Sequence, residues 1–245
     1  MTRGFLSQPL AVFAVAMTVT LATVLLDVSV SATIDELFKE GRAIELLSAL
    51  WLLAAAVLWA AQGTGDAMRR HWHVPVLLLL MAMREQDYDK RFLADGILKL
   101  RLYTGPAPLA DKLIGLAVLA LLAVCLWRLL RLSLPGWLAG LRRGQTAPWL
   151  VLASGATLVV AKTVDGLGRK LEPFGIALDR QLEMMLGRGE EMLELAAAVM
   201  LVQAVVCHAQ GDWLRVARGA GISTEAAAGR ERMPASLRVP ERSSR

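Results

Sequence analysis

The chain has 245 residues, a formal net charge of +5, and 56% apolar residues at a mean hydropathy of +0.48. A soluble domain of this length buries one core and keeps about half of its residues polar, whereas this chain gathers its apolar residues into runs long enough to cross a bilayer. That excludes an ordinary soluble domain, and the absence of alternating strands excludes a transmembrane barrel.

The expected fold is all-α: a polytopic membrane helix bundle of six transmembrane helices, at about 9–31, 43–62, 72–89, 113–133, 147–168 and 191–210. The first run, "PLAVFAVAMTVTLATVLLDVSVSA", ends in Val30-Ser31-Ala32, which resembles a signal-peptide cleavage site. Its apolar stretch is too long for a signal peptide and Asp27 interrupts it, so it reads as a retained helix. The second helix ends at Gly63 and Gly65. Pro75 suits the first turn of the third helix and Pro148 that of the fifth. Leu134-Pro135-Gly136 is expected to stop the fourth, and Gly211 the sixth. A five-helix alternative stays open, in which 74–83 is re-entrant.

Residues 1–214 form the transmembrane domain on this reading, and 215–245 a basic, disordered cytoplasmic tail. Six spans put both termini on one side. Lys and Arg divide almost evenly between the two faces, but the short basic loop at 63–71 favours N-in and C-in in a cell inner membrane. Acidic residues divide unevenly. Of the 22, only Asp66, Asp212, Glu225, Glu231 and Glu241 fall on the face of the termini. The opposite, outer loops are long and contain "TIDELFKEGR" (33–42) and "RKLEPFGIALDRQLEMML" (169–186), whose apolar residues at helical spacing suggest amphipathic surface segments. The first and last hairpins share a faint echo, with "GRAIELL" at 41–47 and "GRGEEML" at 187–193.

Candidate functional residues cluster at the outer helix ends. They are Asp27 in the first helix, Glu45 in the second, and Arg84, Glu85, Asp87, Asp89, Lys90 and Arg91 at the end of the third. Lys162, Asp165 and Arg169 share one face of the fifth, and Glu190, Glu191 and Glu194 open the sixth. Arg84 follows only ten apolar residues, Val74 to Met83, and would lie about 18 Å along a helix starting near Trp72. A charge at hydrocarbon depth costs roughly 2.5–3.5 kcal/mol or more unless it is paired or hydrated. These groups are therefore expected to face one another or a wet cavity open to the outer side. Acids outnumber bases among them, so full pairing leaves carboxylates over. The opposing reading is that such charges merely mark helix ends and snorkel to the interface, or form a purely structural ion-pair network.

The expected function is an inner-membrane protein that binds or moves a small polar solute, ion or lipid headgroup at this cluster. One alternative is a membrane enzyme acting on a lipid or lipid-linked substrate at the outer leaflet. Another is an interaction subunit that docks a protein partner through its outer loops. No cofactor is expected, although Asp87, Asp89 and the Glu190–Glu194 group have the hard oxygens that a divalent cation takes. Cys125 and Cys207 lie in apolar runs and read as core residues. His71, His73 and His208 read as interfacial rather than as a metal site, and six of the seven Trp fall near the inner boundary as an aromatic belt. The tail's Arg residues suit anionic lipid, so pI 9.6 implies no nucleic-acid partner.

Overall fold

A computed structural model describes residues 8–30, 43–63, 65–93 and 96–231, with side chains described as far as Ala209 except at 27, 28 and 30. Every regular element among them is helical. The expected segment at 33–42 lies outside the described residues.

Two long apolar helices come first, α1 (Pro9–Val30) and α2 (Ala43–Gln62). A short basic helix, α3 (Gly65–His71), turns the chain into α4 (His73–Glu85). The one-turn helices α5 (Tyr88–Phe92) and α6 (Leu100–Thr104) lead to α7 (Leu109–Arg128). A π-helical turn at Leu129–Ser133 joins α7 to α8 (Leu134–Arg142) without a break. Next come α9 (Thr146–Val164), the short α10 (Leu167–Leu171), a 3-10 turn at Glu172–Phe174, and α11 (Arg180–Glu231).

Five helices are long and apolar enough to cross a membrane: Pro9–Leu26, Ala43–Gln62, Leu109–Arg142, Thr146–Val164 and Arg180–Ala209. This is the architecture of a multi-pass membrane protein. Leu10, Leu21, Leu26, Val57, Leu113, Leu130 and Val159 stand on outward faces with more than half of their area open, as a hydrocarbon solvent allows and water does not.

The third expected span is shortened. α4 has 13 residues and a length of about 20 Å, because the helix ends at Glu85 instead of running to 89. Asp87 takes a left-handed backbone (φ 47°, ψ 35°), which an α-helix cannot contain and which Asp tolerates better than most residues. The fourth span, by contrast, runs through its expected stop. Leu134-Pro135-Gly136 lies inside a continuous 34-residue helix. Pro135 falls in the first turn of α8, just after the π turn, whose wider hydrogen bonding accommodates the missing N–H. The fifth span ends at Val164 rather than 168, where Gly166 adopts φ +57°. The segment 169–186 is not one surface piece: its second half is already α11. Gly211 does not end that helix, which extends to Glu231; residues 232–245 lie outside the described set.

The bundle is built around α11. Leu195 and Val199 pack with Ala16 of α1 and with Ile44 and Leu47 of α2. One to two turns further, Ala198, Val202, Val205 and Val206 meet Val12, Leu52, Ala55, Ala56 and Leu78, bringing in α4. Small residues let these helices approach closely, as membrane interfaces favour. The other side of α11 takes α9, where Ser154 Oγ donates to Ala197 O at 3.0 Å. α7 flanks α4 on the far side. Gln203 docks α1: its amide, oriented to satisfy both partners, donates to Pro9 O (3.2 Å) and accepts from Phe13 N (2.8 Å).

Candidate functional site

α2 begins, and α4 and α9 end, at the same end of the bundle, level with the acidic turn of α11. Glu45 lies in the first turn of α2, beside the buried Ile44 and Leu47. On α11, Glu191 is one turn before the buried Leu195, which faces those same two residues. Glu190 and Glu194, at i and i+4, face α9 instead. There Lys162, next to the fully buried Ala161, meets both of them.

Lys162 Nζ donates to Glu190 Oε1 at 3.0 Å. It also lies 2.5 Å from Glu194 Oε1, an ion contact off the hydrogen-bonding direction. The two acids are 17% and 12% exposed and the lysine side chain 58%, so the ammonium closes the outside of a pocket that the carboxylates fill. Half-buried Glu85 at the end of α4 lies within electrostatic reach of Glu194, Lys162, Glu191 and Glu45. Glu191 is in reach of Glu194, Glu45, Glu190 and Lys162. Glu190 and Glu194 therefore share the Lys162 ammonium, with Glu85 and Glu191 within electrostatic reach of Glu194 and the lysine. One ammonium serves two half-buried carboxylates with further acids nearby, and such a site favours taking up protons or a cation.

An open cavity of about 300 Å³ adjoins this cluster, with Asp165, Arg169, Glu183 and Glu190 in its wall. Glycines leave room for it. A Cβ on Gly168 would overlap the Glu183 carboxylate. Lys170 donates to Lys162 O (2.8 Å) and Thr163 O (3.4 Å), placing a positive charge on the last carbonyls of α9 and fixing the turn that carries Lys162. Sequence reasoning did not single out Glu183 or Lys170. Their contacts depend on the turn at Gly166, which helical spacing does not reveal.

The other charged residues of the third expected span form their own local unit. Arg84 Nη1 donates to Asp87 Oδ1 at 2.7 Å, and Lys90 Nζ donates to Asp87 Oδ2. Burial alone would push the Asp87 carboxyl up, but Lys90 and Arg84 outweigh it and hold the group below its ordinary value. Asp89 Oδ2 accepts from Ile97 N at 3.0 Å, pinning the loop that follows, and Arg91 lies 5.4 Å above the Tyr88 ring. Arg84, Asp87, Asp89, Lys90 and Arg91 are thus engaged within the loop. Only Glu85 of this stretch joins the cluster. The side chain of Asp27 lies outside the described residues. Among the described residues, no three His, Cys, Asp or Glu side chains are arranged to hold a metal ion.

A second polar group occupies the opposite end. The chain's three histidines, all read as interfacial in the sequence, gather there. His71 and His73 have ring centroids 5.7 Å apart, and His208 stacks on Trp59 at 5.2 Å. His73 is fully buried, with Nε2 3.0 Å from Ser133 Oγ in the π turn. Burial, and then Arg70, His208 and Arg128, push His71 below its ordinary value. The signal available in sequence was the coincidence of His, Arg and Trp at one predicted boundary. No known protein family, characterised protein or solved structure matches this chain.

Proposed function

We propose that the protein is a six-span inner-membrane protein, N-in and C-in, that binds a small cation at the extracytoplasmic carboxylate cluster. The observation that carries this reading is the pairing of two little-exposed carboxylates of α11 with one lysine, with Glu85 of α4 and Glu191 within electrostatic reach. α4 then serves as a short span whose outer end is completed by the loop at 86–93. Protons, metal ions and organic ammonium ions share the required chemistry, a positive charge accepted by carboxylate oxygens. Lys162 acts as a tethered cation that holds Glu190 and Glu194 together, leaving Glu85 and Glu191 to meet the ligand.

The test uses the full chain in nanodiscs. Heat of binding is measured for sodium, calcium and methylammonium at fixed pH, and proton uptake is measured in their absence. The expected result is saturable binding of at least one of these cations, or proton uptake, that drops at least tenfold in Glu191→Gln. Absence of both in the wild type, or signals unchanged in Glu191→Gln and Glu85→Gln, overturns the reading. Gradient-driven flux in liposomes separates a protein that moves its cation from one that only holds it.

A further inference from the structure

Arg128 closes the regular part of α7, about 24 Å along the helix from Lys112, and so lies near the far edge of a hydrocarbon core about 30 Å thick. Its guanidinium sits 5.3 Å above the Trp72 ring, and Nη2 donates to Arg70 O at 2.8 Å. Nε is buried without a partner. Neither Arg128 nor Arg70 makes an ion pair with a carboxylate among the described residues. An arginine at this level is usually matched by an acid or by a headgroup.

The surroundings add to the demand for an anion. The π turn starts at the residue after Arg128, and π turns recur at functional positions in helices. Ser133 of that turn engages His73, whose Nδ1 is buried and has no partner. Arg128 is within electrostatic reach of both His71 and His73, and the groups named around these two histidines are all basic. Trp59, Trp72 and Trp127 stand at the same end, and Trp127 carries Arg131 at 5.4 Å. Indole rings beside arginines are the composition of a membrane interface, where the available anion is a phosphodiester. A guanidinium with no acid beside it is the group best shaped to hold phosphate oxygens.

We infer that the basic surface between the α3–α4 junction and the π turn binds the headgroup phosphate of an anionic phospholipid, with Arg128 as the principal ligand and Trp72 fixing its plane. Arg70 supplies a second positive charge. The lipid would lie at the opposite end of the bundle from the carboxylate cluster, so the two sites are independent.

The test takes the full chain, delipidated in a neutral detergent. Four probes are added in turn: phosphatidylglycerol, phosphatidylcholine, glycerol 3-phosphate and inorganic phosphate. Native mass spectrometry reads retained ligand and thermal unfolding reads stabilisation. Phosphatidylglycerol is expected to be retained and to raise the midpoint, whereas phosphatidylcholine and the two soluble phosphates do neither at equal concentration. Arg128→Gln should lower retention at least tenfold, and Arg128→Lys should recover part of it. Should Arg128→Gln fail to fold, Arg70→Gln, which breaks no contact of the Arg70 carbonyl, is expected to weaken retention several-fold. Equal retention of phosphatidylcholine overturns the proposal, as does retention unchanged in both variants. Tight binding of the soluble phosphates would identify this surface as a site for a free phosphate and overturn the lipid assignment.

Discussion

Replacing Lys162 with Met removes its ammonium from the carboxylate cluster and keeps most of the side chain's length. Its two partners, Glu190 and Glu194, are 17% and 12% exposed, and they lose their nearest positive charge. Breaking a fully buried pair by deleting one member costs about 3–5 kcal/mol, and an exposed pair is worth about 0–1 kcal/mol. The lysine side chain is 58% exposed, which places this site between those limits, at about 2 kcal/mol. For a chain of this length that lowers the midpoint of thermal unfolding by about 4–8 °C. The assay is a melting curve of detergent-solubilised protein for Lys162→Met, Glu194→Gln and the double variant. Neutralising Glu194 removes one of the orphaned charges, so the double variant should melt above Lys162→Met, with a coupling energy of about 1 kcal/mol. Two strictly additive substitutions, or a Lys162→Met midpoint equal to wild type, would refute the idea that the lysine organises the cluster.

Three further outcomes follow from the contacts described above. Asp87 is held below its ordinary value of 3.8 by Lys90 and Arg84, so its contribution is complete above that value and lost as the pH falls through the lower folded one. Amide-exchange protection across 84–93, taken relative to the intrinsic rate at each pH, should therefore fall below about pH 4, and Asp87→Asn should lower that protection and remove its pH dependence. Gln203→Leu removes the clamp on α1, yet Pro9 O and Phe13 N stand four residues apart and can pair with each other; the expected loss is only about 1 kcal/mol, read as a lower denaturation midpoint. Ser154→Ala deletes one interhelical hydrogen bond to Ala197 O and should cost about 0.6 kcal/mol. Ser154→Val, which forces extra methyl groups into the same buried contact, should cost about 1–3 kcal/mol by the same measurement.

The elements legible in the sequence were those set by local rules. α2 spans 43–62 as expected, because its charges and glycines lie at its ends and its apolar run is unbroken. Pro75 and Pro148 fall in the first turns of α4 and α9, where a missing N–H costs nothing. Glu45, Glu85, Lys162 and the Glu190–Glu194 set were singled out because charge at membrane depth must be matched. What the sequence concealed was long-range or backbone in origin. Asp87 in a left-handed conformation cuts α4 short and turns Arg84, Lys90 and Arg91 into a self-contained loop, although helical spacing projects them onto the bundle. Pro135 looks like a stop until the π turn before it is known. His71 and His73 are near neighbours in the chain, but the stacking of His208 on Trp59 depends on how α11 packs against α2.

The π turn at Leu129–Ser133 holds one residue more than an α-helix would need, and that surplus acts as an angular gear. Closing that turn into regular α-helical hydrogen bonding without removing a residue would rotate everything beyond it by about 100°. Ser133 would swing away from His73, and Trp137 Nε1 would leave Pro148 O, now 3.1 Å away. Gly140, whose bare Cα admits Pro148 and Gln145 at close range, would turn a different side toward the α8–α9 corner. The surplus residue thus decides which sides of the π turn and of α8 meet His73 and Pro148.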